Sequence, residues 1–245
     1  MPRFFVNPEQ IQENNIVIYG DDVKHISKVL RLKTGDKITI CNRQGTDYEC
    51  IIKTISKENI HAEILSAHLS ETEPSVKITL FQALTKSDKM DLIIQKAVET
   101  GIYKIVPVVT ERTVVKIEDE KKQFAKLTRW QKISESAAKQ SQRGIIPEVC
   151  SILTLQEAFN ASDTMDLKVI AYEKEAQNRL RNILTGFKGK TVGIFIGPEG
   201  GFEENEIDLA KQSGIIPITL GKRILRTETA GLFLVSIMMY EVGEM

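Results

Sequence analysis

The sequence predicts an α/β protein with a parallel sheet in its C-terminal part and a small β-barrel in its N-terminal part. From Val76 onward, short apolar strands alternate with helical segments, which is the pattern of a parallel α/β sheet. Before that residue, several short β-prone runs surround one helical segment, as in a small barrel. We therefore predict an N-terminal domain at 1–72 and a C-terminal domain at 73–245, with the polar segment 69–75 as the linker.

The predicted N-terminal strands are apolar or β-branched runs that turn-forming residues separate. They lie at residues 3–6, 16–19, 37–41, 48–55 and 60–65. Between the second and the third strand we predict a helix at 22–30, because apolar residues at positions 23, 26, 29 and 30 share one face.

The C-terminal domain opens with a predicted strand at 76–84 and a helix that Gly101 ends. Further strands are predicted at 104–109, 167–172, 192–196 and 215–220. Further helices are predicted at 118–142 and 178–187, and from residues 203 and 227 onward.

The composition excludes several classes of protein. The 33 basic residues balance the 33 acidic residues, so any contact with RNA or DNA must be a local patch. No apolar stretch approaches the roughly 20 residues that cross a bilayer, and the first residues lack the pattern of a secretory signal. The three cysteines lack zinc-ligand spacing and leave one unpaired in any disulfide scheme. We therefore predict a cytoplasmic protein without metal or membrane association.

Two strand–loop–helix units lie close together near the C-terminus. The first runs from an apolar strand into GPEGG, residues 197–201, and then into a helix with an acidic first turn. The second runs from the strand at 215–220 through Gly221 to a helix that Thr227 would cap. Because ligands bind beyond the carboxyl ends of parallel strands, we predict a small-molecule site between these loops.

The GPEGG loop does not match the common phosphate-binding loops. It lacks the Gly-Lys-Ser/Thr ending of a P-loop and the GxGxxG spacing of a dinucleotide fingerprint. Its glycines alone fit a tight turn without a ligand equally well. The second loop of similar architecture favours a ligand.

Taken together, GPEGGFxxxE at 197–206 and LGxRILRTETA at 220–230 resemble the signature of the RsmE family of 16S ribosomal RNA (uracil-N3)-methyltransferases, within the SPOUT superfamily. The resemblance extends to Arg3 and to segments at 25–31, 89–101, 111–112 and 129–141. It implies a PUA-like N-terminal β-barrel and a C-terminal α/β domain with a deep trefoil knot. It also implies that S-adenosylmethionine binds in the knot.

By this resemblance, three segments enclose the cofactor. The implied cofactor-binding residues are Tyr172, Ile196, Gly197, Pro198, Glu199, Gly200, Gly201, Leu220, Gly221, Ile224, Leu225, Arg226, Thr227 and Thr229. Glycine lets the backbone approach a ligand closely, and the apolar members of this set would enclose the adenine.

Methylation of N3 of a uridine requires alignment of the reacting atoms and removal of the imide proton. No histidine lies near the two motifs, so a histidine base is not expected. Arg226 is the candidate for contacting the developing charge, and Glu228 or Glu199 for accepting the proton. Each carboxylate has a structural alternative: Glu228 at a helix start, and Glu199 as a brace of its own loop, which we favour for Glu199.

Clustered basic residues supply a candidate RNA-binding surface on this protein of zero net charge. The candidates are Arg3, Lys24, His25, Lys28, Arg31, Lys89, Arg112, Arg129, Lys139, Arg143 and Arg223, and Lys132 extends the cluster on the long helix. For any single one of them the alternative is an ordinary solvated side chain.

The last helix is apolar nearly all round, which is not typical of a surface helix. Burial within its own domain would explain this composition, but we favour a homodimer in which one face packs against a second copy.

The resemblance thus implies methylation of one uridine in 16S ribosomal RNA, within the small ribosomal subunit. Three alternatives stay open on the residues alone. They are a SPOUT enzyme that methylates another RNA position such as a ribose hydroxyl, an RNA-binding protein with a vestigial cofactor pocket, and a nucleotide-binding regulator that uses GPEGG for phosphate.

Overall fold

The computed structural model describes residues 1–114 and 119–242. The chain forms two compact units, Met1–Glu73 with Ala138–Ile146, and Pro74–Ala137 with Pro147–Met245. The predicted linear division at residue 72 did not foresee that Ala138–Ile146 belongs to the first unit. Backbone pairing brings this segment there, since the Gly45 amide donates to the Gly144 carbonyl at 3.0 Å. Residues 118 and 243–245, which the predicted elements and domain include, lie outside the described residues.

The strands of the first unit are β1 (Arg3–Phe5), β2 (Ile11–Gln12), β3 (Asn15–Tyr19), β4 (Lys37–Cys41), β5 (Thr46–Ile55) and β6 (Asn59–Leu69). They form one six-stranded sheet in the order β1-β4-β5-β6-β3-β2. All neighbours are antiparallel except the β1–β4 pair. Two register shifts in the β5–β6 pair increase the local twist of the sheet around its apolar core. The five predicted strands are confirmed, and β2 is an addition.

The helical segment of the first unit changes type along its length. It consists of α1 (Asp21–Lys24) followed by a π-helical turn, His25–Val29. The wide turn rotates the following side chains away from the face predicted by a regular helix. Val23 and Ile26 are buried as predicted, whereas Val29 and Leu30 are exposed. The prediction that all four share a buried face is therefore wrong for the last two.

The strands of the second unit are β7 (Lys77–Ala83), β8 (Lys104–Val109), β9 (Glu148–Val149), β10 (Leu153–Thr154), β11 (Leu167–Ala171), β12 (Thr191–Ile196) and β13 (Ile216–Ile218). They form a parallel seven-stranded sheet in the order β10-β8-β7-β12-β11-β13, with β9 paired to β8. The predicted parallel sheet is thus confirmed. The two short strands β9 and β10 were not predicted, because two-residue strands carry no periodicity.

The helices of the second unit are α2 (Ser87–Glu99), α3 (Glu120–Gln140), α4 (Leu155–Ala161), α5 (Leu180–Leu184), α6 (Glu204–Gln212) and α7 (Thr227–Glu241). The last three residues of α3 belong to the first unit. Helix α4 was not predicted. Across the described parts of the chain, every helix is too short or too polar to span a bilayer.

The strand order decides where the two C-terminal loops meet. Strand β12 lies between β7 and β11, and β11 pairs on its other side with β13. Because all of these strands are parallel, the loops that follow β11, β12 and β13 emerge side by side at one edge of the sheet. Beneath this edge, Phe81 and Phe195 stack with ring centroids 4.3 Å apart and give the loops a rigid base.

Candidate functional site

A cavity of about 530 Å³ opens at the carboxyl ends of β11, β12 and β13. Its walls are the end of β11 with Tyr172, the glycine loop (residues 197–203), the basic loop (residues 219–226) and the first turn of α7. All the residues predicted to bind the cofactor line this cavity except Thr229, which is exposed on α7. The lining also includes residues that were not among the predicted cofactor contacts, namely Lys89, Ala171, Glu173, Phe202, Thr219, Lys222, Arg223 and Ala230.

The glycine loop is folded so tightly that a side chain would be crowded at several of its positions. A Cβ atom at Gly197 would lie 3.2 Å from the Phe202 ring. Gly201 has φ +71°, and a Cβ atom there would lie 3.0 Å from the Glu173 carboxylate. Such a φ is sterically costly for any residue with a side chain. Glycine is therefore favoured by the backbone at position 201 and by close packing at position 197, and it leaves the backbone accessible from the cavity.

Thr227 joins the glycine loop to the start of α7. Its hydroxyl donates to the Gly197 carbonyl at 2.7 Å and accepts from Gln82 Nε2 at 2.9 Å. Thr227 was predicted to be the cap residue of this helix, but Arg226 occupies that position and Thr227 is the first helical residue. The side chain of Thr227 is buried and bonds across the sheet edge instead of to its own helix. It thereby fixes the distance between the two loops.

Arg112 braces the outer side of the glycine loop. Its Nε donates to Glu203 Oε1 at 2.5 Å, and its Nη1 donates to the Gly200 carbonyl at 2.6 Å. A Cβ atom at Gly200 would lie 3.3 Å from Arg112 Cδ, so glycine permits this close approach. The hydrogen bond from Arg112 lowers the pKa of Glu203, and the pair is therefore charged at neutral pH. These contacts give Arg112 a structural role at the position where we predicted an RNA contact.

A second group of charges lies at the entrance of the cavity. Lys89 Nζ donates to Glu199 Oε1 at 2.9 Å and lies 3.7 Å from Glu228 Oε2. The hydrogen bond to Glu199 raises the pKa of Lys89, and the same bond lowers the pKa of Glu199. Glu199 is thus held as a carboxylate by a neighbouring cation, which agrees with the bracing role favoured for it. Lys89, predicted to contact RNA, is a lining residue of the cavity.

The two predicted catalytic residues are close together but differ in exposure. Arg226 Nη1 lies 4.0 Å from Glu228 Oε1, and the side chains are 82% and 15% exposed respectively. Glu228 Oε2 is buried and accepts no hydrogen bond from any residue that the structure describes. Glu228 Oε2 is therefore open to a hydrogen-bond donor, and Arg226 lies exposed at the mouth of the cavity.

The basic loop contributes long, flexible side chains at the rim of the cavity. Gly221 has φ +105°, which turns the chain sharply after β13. Arg223 and Ile224 are exposed while lining the cavity. The predicted enclosure of adenine by Ile224 would thus need this loop to close upon a ligand.

The remaining predicted RNA contacts fall into two groups. In the first unit, Lys24, His25, Lys28 and Arg31 are exposed. In the same unit Arg3 is ion-paired with Asp47, Lys139 lies 3.6 Å from Asp22, and Arg143 donates to Glu73 Oε2 at 2.5 Å.

The prediction that Arg143 contacts RNA does not fit its position. The residue is buried and bonds Glu73, whose carboxylate also accepts from the Gly144 amide at 2.7 Å. A buried ion pair of this kind is costly to break, because one charge would remain uncompensated. Arg143 therefore holds the segment Ala138–Ile146 in place.

No cluster of three or more histidine, cysteine or acidic residues in the described ranges is arranged to hold a metal ion. The cavity offers backbone amides and carbonyls, apolar side chains and a few charged groups at its rim. This combination is typical of a site for a small organic ligand.

The chain matches the models of two protein families. Residues 72–239 match an RNA methyltransferase domain, and residues 18–65 match an RNA methyltransferase PUA domain. These two matches define the class, an RNA methyltransferase with a PUA domain.

Two curated relatives and one solved structure are similar over nearly their whole lengths. The protein named ribosomal RNA small subunit methyltransferase E from Bacillus subtilis is 33% identical, and the alignment covers 98% of this chain and 97% of that protein. The protein of the same name from Mesomycoplasma hyopneumoniae is 35% identical, and the alignment covers 96% of this chain and 98% of that protein. The crystal structure of the protein of that name from Neisseria gonorrhoeae, bound to S-adenosylmethionine, is 33% identical with a TM-score of 0.83. That alignment covers 98% of this chain and 97% of the other. The chain belongs to the ribosomal RNA small subunit methyltransferase E family.

Proposed function

We propose that this protein methylates N3 of a uridine in 16S ribosomal RNA, within the small ribosomal subunit, with S-adenosylmethionine as the methyl donor. The observation that carries the proposal is the cavity formed by the glycine loop and the basic loop, which the Thr227–Gly197 hydrogen bond holds together. The relative from Neisseria gonorrhoeae, similar over its whole length, is bound to S-adenosylmethionine. The names of the curated relatives supply the ribosomal RNA substrate.

The residues of the cavity fit this cofactor. A volume of about 530 Å³ lies within the range of sites for small organic ligands. A Cβ atom would be crowded at positions 197 and 201, and glycine there leaves the backbone of the loop bare for hydrogen bonds. Ile196 and Leu220 provide apolar walls for an adenine ring. The carboxylates of Glu199 and Glu228 complement the positive charge of a sulfonium ion.

When bound, S-adenosylmethionine supplies a sulfonium methyl group, whose transfer forms the N3–CH₃ bond and leaves a neutral thioether. The protein's own residues must take the N3 proton and stabilise negative charge on the flanking carbonyl oxygens. Glu228 is the base in this proposal, because its buried Oε2 has no hydrogen-bond donor among the described residues. Arg226, exposed at the rim and 4.0 Å from Glu228, donates to the carbonyl oxygens. Glu199 is engaged by Lys89 and serves to hold the entrance.

The test compares Glu228→Gln with Glu199→Gln on small ribosomal subunits that lack the modification. We expect Glu228→Gln to bind S-adenosylmethionine like the wild type but to lose methyl transfer by about 10²- to 10⁴-fold, the usual contribution of a general base. Glu204→Gln, at an exposed position of α6, is the matched control. Full turnover in Glu228→Gln would remove the base assignment, and mapping the methyl group to a ribose oxygen would remove the N3 assignment.

The exposed cations of the first unit supply the proposed RNA contacts outside the cavity. Lys24, Lys28 and Arg31 lie on or directly after the helical segment of that unit, beside exposed His25. Phosphate contacts of this kind make affinity depend on salt. The substrate places the activity in the cytoplasm, where small ribosomal subunits are found.

We also propose that the protein is a homodimer through α7. The inner face of this helix is buried, whereas Phe233 and Tyr240 remain exposed on the outer face beside Ile237. These three residues follow the spacing of one helical face, and they line a groove of about 430 Å³. Covering such a face with its own copy is the simplest way to remove it from water. A monomer in sedimentation equilibrium at micromolar concentration would contradict this proposal.

A further inference from the structure

A groove of about 630 Å³ runs along α3 and takes no part in the proposed reaction. We call it the α3 groove; Phe124, Thr128, Arg129, Lys132 and Ser136 contribute to its lining. Phe124 is 73% exposed, which is an unfavourable position for a large aromatic ring unless a partner covers it.

The charge of the α3 groove has one sign. None of the described residues that line it is acidic. Arg129 donates to Asp91 of α2, whereas Lys132 is exposed and makes no ion pair with any described residue. Thr128 and Ser136 are small and hydroxyl-bearing, so an anionic chain could approach the helix closely between the cations.

An exposed aromatic ring beside cations matches the chemistry that binds single-stranded RNA. Unpaired bases stack on aromatic side chains irrespective of sequence, while lysine and arginine contact the phosphates. Phe124 and Lys132 are eight positions apart, which corresponds to about 12 Å along the helix. A docked protein would instead need a wider apolar surface, and Phe124 is the only large exposed apolar side chain among the described lining residues.

Helix α2 connects the α3 groove with the proposed methylation site. Helix α2 carries Lys89 and, two positions later, Asp91. Lys89 lines the cofactor cavity, and Asp91 is the ion-pair partner of Arg129 in the groove. Because residues two positions apart lie on nearly opposite sides of a helix, an RNA strand with its target base at the cavity would pass around the start of α2 to reach α3.

We propose that the α3 groove binds the single-stranded RNA that flanks the target uridine, with an unpaired base stacked on Phe124 and a phosphate at Lys132. This inference rests on the proposed function, because it presumes an RNA substrate.

The experiment measures binding of unmodified small ribosomal subunits and methyl transfer for Phe124→Ala, Phe124→Trp and Lys132→Gln. We expect Phe124→Ala to raise the Kd for subunits about tenfold, the typical effect of losing one stacked base, and Phe124→Trp to bind like the wild type. Lys132→Gln should reduce the slope of log K against log salt by about one. Affinity for S-adenosylmethionine should stay unchanged in all three variants.

Leu209→Ala, which removes an exposed apolar side chain from α6, is the control for a general surface effect. If Phe124→Ala binds subunits within twofold of the wild type, the stacking role is wrong. If it instead changes the oligomeric state, the groove is a contact between copies of the chain and not an RNA site. A failure of the proposed function is recognised separately, because the wild type itself would then neither bind nor methylate the subunits.

Discussion

The hydroxyl of Thr227 donates to the carbonyl of Gly197 at 2.7 Å and so bridges two loops that are 30 positions apart in the chain. The same hydroxyl accepts from Gln82 Nε2, which anchors both loops to the central strand β7. Thr227 and Gln82 are both buried, so water does not replace the hydrogen bond between them. The cavity of the proposed cofactor site therefore depends on one side chain at its floor.

Replacing Thr227 by valine should weaken binding of S-adenosylmethionine. The change removes the hydroxyl that bonds the Gly197 carbonyl and leaves the Gln82 amide with only its bond to the Ala83 carbonyl, and an unmet hydrogen bond of this kind costs about 1–3 kcal/mol. We expect the Kd measured by calorimetry to rise at least tenfold, and Thr227→Ser to restore most of the affinity. Thr229→Val is the matched control, because Thr229 lies two positions further along α7 and is exposed. Equal affinities of the two valine variants would show that the bridge does not shape the site.

Replacing Arg112 by alanine should reduce cofactor affinity while leaving RNA binding intact. Two hydrogen bonds, to Glu203 and the Gly200 carbonyl, would be lost from the glycine loop. We expect the Kd for S-adenosylmethionine to rise about five- to tenfold, because both hydrogen bonds are exposed and solvent weakens them. Arg112→Lys should not restore it, because an ammonium cannot bond both partners in the same fork.

The salt dependence of RNA binding distinguishes this role from the RNA contact predicted at Arg112. If Arg112→Ala lowers the slope of log K against log salt by about one and leaves cofactor binding unchanged, the residue is a phosphate contact after all.

Gly201→Ala should destabilise the protein more than Gly186→Ala does. Both glycines have positive φ, +71° and +78°, so both variants incur the backbone cost of about 1 kcal/mol. Only at position 201 would the added Cβ also contact a neighbour, the Glu173 carboxylate at 3.0 Å, whereas at Gly186 it meets open space. We expect the difference between the two variants in the free energy of unfolding, measured by chemical denaturation, to report the cost of the steric contact alone. A larger loss at Gly186 would contradict this account of the glycine loop.

The Lys89–Glu199 pair should contribute to stability only within a defined range of pH. The hydrogen bond from Lys89 lowers the pKa of Glu199 below its ordinary value of 4.5, so the contribution is present above that pH and is lost as the pH falls through the lowered pKa. The pKa of Lys89 is raised above 10.5, so the contribution is lost again only at more alkaline pH.

The measurement is the difference in Tm between the wild type and Lys89→Met from pH 3 to pH 8. We expect the difference to be constant near neutrality and to disappear in acid. Lys174→Met, which removes the exposed partner of Glu204, serves as the control pair. A difference that persists at pH 3 would show that Lys89 stabilises the protein by packing and not by its charge.

The cofactor site was predictable to a large extent, because its residues are concentrated in two short segments. Gly201 and Gly221 have positive φ, so glycine at both positions is favoured by local backbone geometry, which depends on neighbours in sequence. The parallel sheet was predictable for the same reason, since apolar strands and helices alternate along the chain. The segment Ala138–Ile146 was not, because its place in the first unit depends on pairing with Gly45, far away in sequence.

By itself, the sequence determined the strand-and-helix order, the two loops at the carboxyl ends of their strands, and the family resemblance that names the chemistry. Only the tertiary structure decided what the charged residues do. The sequence predicted RNA contacts at Arg112, Arg143 and Lys89. In the fold, their guanidinium and ammonium groups form hydrogen bonds with partners that are distant in sequence. The physical reason is that the role of a charged side chain depends on the groups nearest to it in space. For these three residues those groups lie 70 or more positions away along the chain.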